Sequence, residues 1–350
     1  MSKIKKALIF IIAILIIAEF SCRIKFFWLH HGKDWNYITA PFLVQPWNKY
    51  YKDKYDTNGF RGDKVNLKKI LSEFRIFVVG DSSVDSLQPD KAVWTSQIKS
   101  YLPAIYDNKK IQVVNAGRPG FASKDIKYLY KNKIKLFAPD LILYYAAANE
   151  NFEFTTFSIA DTAIGKIKNK IHNVLIYNSM LYTYLQEKIN FLLAKRKKEV
   201  WVIDLQNLRS NFLDLNAECT NSDSKLIFIT QAMNFPRYHK GVDTFNYKNV
   251  ITLLNSLKID INYKYENEEI IKLNQRIAVF YLIELCEKYN IPYIDILNPV
   301  EDFSHAKRHE MFVDFIHQTA KGDIILGELI GGKLNNLLFR KEGKEANATR

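Results

Sequence analysis

FRIFVVGDSSVDS, Phe74 to Ser86, is the stretch whose reading decides the fold. FRIFVV (Phe74–Val79) is a short apolar run, and Gly80 closes it. A run of this length, bounded by a turn residue, suits a strand buried on both faces of a parallel sheet. Four more runs share this character: IQVV (Ile111–Val114), DLILYYAAA (Asp140–Ala148), KLIFIT (Lys225–Thr230) and PYIDIL (Pro292–Leu297). Helical patterns separate them, over Ala92–Leu102, Ser123–Phe137, Asn267–Tyr289 and Thr319–Phe339. Alternating strands and helices imply right-handed crossovers, hence an α/β fold with a five-stranded parallel sheet covered on both faces.

The rest of the chain is organised around this body. About seventy residues separate the third and fourth runs, far more than a crossover needs. Within this helical insertion, about 151–224, apolar residues from Ile164 to Leu192 recur at helical spacing. That stripe is expected to pack against the sheet domain, with a lid or a membrane- or partner-facing face as the alternative. Ser210–Ser224 is polar and reads as an exposed loop. Residues 24–73 read as an aromatic-rich arm laid on the domain of residues 74–339, and the tail 340–350 as disordered.

At the N-terminus, Lys3, Lys5 and Lys6 precede twelve apolar residues, Ala7–Ala18, broken by Glu19. This is the layout of a signal sequence. Residues 1–23 are expected to be an uncleaved signal anchor, or else a cleaved peptide, placing the body outside the cytoplasm. Twelve residues fall short of the ~20 that comfortably span a bilayer, so the span is drawn out to Cys22.

The net charge of +13 comes from lysines scattered along the chain. No nucleic-acid motif accompanies them, so a solvated basic surface is expected rather than a nucleic-acid partner. Three cysteines make no disulfide framework, although a single Cys219–Cys286 bridge stays open. No pair has metal-site spacing, and neither a metal nor a cofactor is expected.

Ligands of open α/β sheets bind beyond the carboxyl ends of the strands. There the sequence places Gly80-Asp81-Ser82-Ser83, Gly117-Arg118-Pro119-Gly120 and Asn149-Glu150, with Asp314-Phe315-Ile316-His317 just before the last helix. A serine hydroxyl needs an adjacent base to become a nucleophile. His317 can take the proton of Ser82, and Asp314 can hold the imidazole tautomer. The backbone N–H groups of Ser82 and Gly117 and the Asn149 amide are expected to form the oxyanion hole. Arg118 and Gln231 are expected substrate contacts. His305 and His309 are expected only to decorate the last loop.

On these blocks the chain resembles the SGNH/GDSL hydrolase family. GDSSVDS (Gly80–Ser86) is similar to the first block, Gly117 in NAGRPG to the second, Asn149 to the third, and DFIH (Asp314–His317) to the last. NGFRG (Asn58–Gly62) is similar to what precedes the first block in envelope-associated bacterial members. The resemblance implies a flavodoxin-like three-layer α/β/α fold and ester hydrolysis through an acyl-enzyme. It runs from Phe74 to the last helix, without the insertion. The third block departs from Gly-x-Asn-Asp: it reads Ala147-Ala148-Asn149-Glu150, and Ala147 is expected to narrow the cleft.

The expected function is therefore cleavage of an acyl ester, without a cofactor, on an acylated glycan or lipid. An O-acyltransferase acting on an envelope glycan, and a non-catalytic binding or assembly protein with this fold, are the alternatives.

Overall fold

The computed structural model describes residues 3–29, 55–151, 203–256 and 268–338, apart from a few positions within them, together with Ser179, Leu181, Tyr182 and Leu185. Most of the apolar stripe from Ile164 to Leu192, most of the arm and the tail 340–350 lie outside the described residues. The chain divides into two compact units: Met1–Gly59 with Phe154–Lys198, and Phe60–Glu153 with Glu199–Arg350.

The first unit is built on one long helix, Lys3–Leu29. Its described side chains from Leu8 to Ile17 are apolar and largely solvent-exposed on all sides, Phe10 at 67% and Ile17 at 65%. Among the described residues, no helix is long and apolar enough to cross a membrane, so the expected membrane segment finds no support here. Glu19, the charge that breaks the apolar run, has a structural task. It pairs with Arg23 at 2.5 Å and accepts hydrogen bonds from Ser179 Oγ at 2.7 Å and the Leu181 N–H at 2.9 Å.

The second unit holds the sheet. Its strands are β1 (Arg61–Gly62), β2 (Glu73–Gly80), β3 (Ile105–Tyr106), β4 (Lys109–Asn115), β5 (Leu141–Tyr145), β6 (Lys225–Ile229) and β9 (Tyr293–Ile294). A separate hairpin pairs β7 (Tyr238–His239) with β8 (Val242–Asp243). All five expected strands are present and pair in parallel, in the order β4-β2-β5-β6-β9. In chain order that is 2-1-3-4-5, the flavodoxin-like arrangement.

The expected five-stranded sheet is corrected to a mixed sheet of seven. β1 and β3 both pair antiparallel with the outer edge of β4, at Asn115–Val114 and Lys110–Lys109. An uncovered edge presents unpaired N–H and C=O groups, and these two short segments blunt it. The fifth parallel strand is shorter than PYIDIL suggests. Thr230 Oγ1 accepts the N–H groups of Ile296 and Leu297 at 2.7 and 2.9 Å, and the chain turns into a short helix, Leu297–Glu301.

Alternation along the strands feeds two cores. Ile76, Val78, Leu141, Leu143, Ile227 and Ile229 pack on one face with Trp94, Leu326, Ile330 and Leu334. The helices there are Trp94–Gln97, a following 3-10 turn Ile98–Tyr101, and Ala320–Leu338. Tyr144 and Phe228 meet Phe212 on the other face, with ring centroids 5.4 and 6.0 Å from it. Phe212 belongs to the helix Leu205–Thr220, which corrects the expected loop over Ser210–Ser224. Its polar residues face out while Leu208, Phe212, Leu215 and Cys219 are buried, so a mean polarity hid an amphipathic helix. Cys219 and Cys286 are buried and unbridged.

Phe60, Arg61 and Gly62 of the NGFRG stretch belong to this unit. Phe60 is buried and stacks edge-on against Phe77 and Phe137. Arg61 is buried and its guanidinium donates to the carbonyls of Asp85, Ser86 and Gln88, with the Asp85 carboxylate 3.5 Å away. It therefore ties down the segment that follows the Ser82 turn. Removing one partner of such a buried charged network typically costs about 3–5 kcal/mol. Arg61→Ala is accordingly expected to lower stability by about 3 kcal/mol in denaturant unfolding. A change within 0.5 kcal/mol, roughly the level of an ordinary surface substitution, would remove Arg61 from this role.

Candidate active site

β2 ends at Gly80, where the backbone of β5 comes close. A Cβ at Gly80 would lie 2.0 Å from the Tyr145 carbonyl oxygen. Asp81 then caps the short helix Ser82–Asp85, its side chain accepting the Ser83 N–H at 2.8 Å and the Ser83 hydroxyl at 2.5 Å. The cap fixes Ser82 as the first residue of that helix. The Ser82 N–H donates to no partner among the described residues.

The last block forms a closed turn. Phe312 and Gln318 form an antiparallel bridge, the Val313 N–H donates to the His317 carbonyl at 2.7 Å, and the Asn234 N–H donates to the Phe315 carbonyl at 2.8 Å. Within it, Asp314 Oδ1 accepts the backbone N–H groups of Ile316 and His317, both at 2.8 Å. The three-residue spacing lets one carboxylate oxygen hold the turn while the other, Oδ2, meets His317 Nδ1 at 2.6 Å. His317 Nε2 lies 2.8 Å from Ser82 Oγ. Residues 235 positions apart in sequence are thus joined in one hydrogen-bonded line, Ser82–His317–Asp314.

The electrostatics fix the direction of that line. Partial burial by itself raises the Asp314 carboxyl. The hydrogen bonds from the His317 ring and from the N–H groups of His317 and Ile316 outweigh it and bring it down to about 2. A carboxylate only accepts, so His317 Nδ1 carries the hydrogen and Nε2 presents its lone pair to the Ser82 hydroxyl. The Asp314 hydrogen bond raises the His317 pKa above the ordinary 6.5; burial opposes this, and the charges of Asp314 and Asp81 add to it. Burial raises the fully enclosed Asp81 carboxyl, which the hydrogen bonds from Ser83 and Gln231 partly offset.

The other expected residues meet different fates. The Gly117 N–H, expected in the oxyanion hole, donates to Asn115 Oδ1 at 2.9 Å. Gly117 is required for space: a Cβ would sit 2.5 Å from the Asp85 nitrogen and 2.7 Å from Val84. Asn149 sits in a 3-10 turn after β5, and its Nδ2 donates one hydrogen to the Phe121 carbonyl at 3.1 Å, leaving the second. Glu150 accepts the N–H and hydroxyl of Ser123 at 2.6 and 2.8 Å, tying the Asn149 turn to the start of the helix Ser123–Asn132.

Arg118 and Gln231, the expected substrate contacts, are both buried. Arg118 is 1% exposed and its Nη1 donates to the Gly117 carbonyl at 2.7 Å. Gln231 is fully enclosed behind the serine turn. Ala147 is buried too, so its methyl does not line an open cleft. His305 and His309 meet edge to face, ring centroids 4.5 Å apart, on the helix His305–Met311.

Three supporting residues escaped the sequence reading. Asp81 carries the cap, Asn115 Nδ2 holds the Val84 carbonyl at 2.7 Å, and Trp94 Nε1 donates to the Ser83 carbonyl at 2.9 Å. Only Asp81 left a signal, as an acidic residue directly ahead of a short helix. Among the described residues, no group of three or more His, Cys, Asp or Glu side chains could hold a metal ion.

The sign of the His317 shift sets a pH expectation. An NMR titration is expected to place the His317 ring pKa above 6.5, and Asp314→Asn is expected to move it down. An unchanged ring pKa in that variant would show that Asp314 does not stabilise the imidazolium.

No protein-family model matches the chain, and no curated protein matches it. Solved structures similar to it include a catalytic mutant of an acetylxylan esterase from Geobacillus stearothermophilus, at 14% identity and a TM-score of 0.45, covering 78% of this chain and 98% of that one. A lipase/acylhydrolase from Enterococcus faecalis is similar at 16% identity and a TM-score of 0.42, covering 75% and 96%. A GDSL-like lipase from Bacteroides thetaiotaomicron is similar at 12% identity and a TM-score of 0.41, covering 77% and 92%.

Proposed function

We propose that the chain is a serine hydrolase of carboxylic esters. The observation that carries this reading is the line of contacts at 2.8 and 2.6 Å from Ser82 through His317 to Asp314. In the proposed cycle the Ser82 hydroxyl passes its proton to His317 Nε2 as Oγ attacks the acyl carbon. Asp314 stabilises the imidazolium formed. The Ser82 N–H and the second hydrogen of Asn149 Nδ2 serve the oxyanion. Collapse of the tetrahedral intermediate expels the alcohol, which takes the proton from His317 and leaves Ser82 acylated. Water, activated by the same imidazole, then releases the acid and restores Ser82. The proposed substrate class is an acyl ester on a glycan or lipid. With a sugar hydroxyl in place of water, the same steps transfer the acyl group.

Turnover of p-nitrophenyl acetate tests the reading. Ser82→Ala is expected to lose activity by several orders of magnitude, and Asn149→Ala by roughly 100- to 1000-fold in kcat, the usual loss for one oxyanion donor. Equal rates in wild type and Ser82→Ala would end the esterase reading and favour a binding protein. Mass analysis of products, with and without glycan acceptors, separates hydrolysis from transfer.

We further propose that the helix Lys3–Leu29 holds the protein at a membrane, with the catalytic unit outside the cytoplasm. The exposed apolar side chains from Leu8 to Ile17 support it, since water disfavours such a surface. Full-length protein is then expected in the membrane fraction, and protein lacking residues 1–29 in the soluble fraction. Full-length protein that stays soluble would overturn this.

A further inference from the structure

Gln231 lies just past the carboxyl end of β6, with no solvent exposure. A buried primary amide must fill two donors and one acceptor oxygen, because each left empty keeps its full desolvation penalty. Gln231 fills them across three separate segments. Its Nε2 donates to Asp81 Oδ2 and to Ser83 Oγ, both at 2.9 Å, in the turn that carries Ser82. Its Oε1 accepts the Ala148 N–H at 2.9 Å, in the turn that carries Asn149. Gln275, from the helix Glu268–Tyr289, donates from Nε2 to the Gln231 carbonyl at 3.0 Å and to Oε1 at 3.3 Å.

We propose that Gln231 is a positioning residue that locks the Ser82 turn to the Asn149 turn, so that the nucleophile and both oxyanion donors share one frame. This rests on the esterase reading. Oxyanion donors help only when they are already aimed at the developing charge. The Ser82 N–H belongs to the β2 turn and the Asn149 amide to the β5 turn. Besides the strand ladder, Gln231 is a direct side-chain bond between those turns. Asp81 needs it as well, because the enclosed carboxylate has only Ser83 and Gln231 as hydrogen-bond donors among the described residues. A leucine at 231 would fill similar space but leave Asp81 Oδ2 and the Ala148 N–H without these partners.

The test compares wild type, Gln231→Leu and Gln231→Met on p-nitrophenyl acetate, together with the rate of Ser82 labelling by a fluorophosphonate probe. Gln231→Leu is expected to lose roughly 10- to 100-fold in kcat with KM nearly unchanged, the pattern of misplaced transition-state contacts. Labelling is expected to slow in parallel. A folded Gln231→Leu with wild-type kcat and labelling rate overturns the proposal and leaves the esterase reading standing. Wild type that neither turns over nor labels removes the esterase reading itself. If Gln231→Leu does not fold, Gln231→Met decides: an unbranched side chain of similar length fills the space but cannot make the bonds to Asp81, Ser83 and Ala148. Lower kcat at unchanged KM supports the proposal, and unchanged kcat overturns it.

Discussion

The site depends on how one buried carboxylate is satisfied. Asp81 has no solvent exposure, and a charge removed from water is tolerated only when its lone pairs are filled. Its Oδ1 takes the N–H and hydroxyl of Ser83, and its Oδ2 takes Gln231. The first two bonds set the helix that begins at Ser82. The third reaches a residue beyond β6, and through it the Ala148 N–H beyond β5. A local cap has therefore become a joint between strands, and it holds the turn whose Ser82 hydroxyl meets His317.

Strand order explains why these parts meet. With the parallel strands in the order 2-1-3-4-5, the chain leaves β2 in one direction for β4 and later returns on the other side for β5. The crevice at such a switch point lies outside the carboxyl ends of the strands. Ser82 follows β2 and Asn149 follows β5, its direct neighbour. The Asp314–His317 turn is delivered separately. Its own backbone closes it, and Asn234 and Gly322 hold its flanks, the latter so closely that a Cβ would lie 1.9 Å from the Met311 carbonyl oxygen.

Much of this was legible in the chain itself. The five apolar runs became the five parallel strands because each buries both faces, and burial on both faces leaves a continuous apolar signature. Ser82, His317 and Asp314 were legible because strand ends and the Asp-x-x-His spacing are local patterns. The edge strands β1 and β3 were not legible. Two residues carry no periodicity, and they are strands only because β4 offers an open edge. The helix Leu205–Thr220 was misjudged for a related reason: its few buried positions make sense only against Tyr144 and Phe228.

The sequence by itself determined the layered α/β architecture and the identity of the serine, histidine and aspartate. These follow from periodicity and from the chemistry of single side chains. Only the tertiary structure decided which N–H groups are spent and which are free. The Gly117 N–H donates to Asn115, and the Gln231 amide is enclosed behind the serine turn. Hydrogen-bond capacity is allocated among groups distant in sequence, and that allocation exists only once the chain has brought them together.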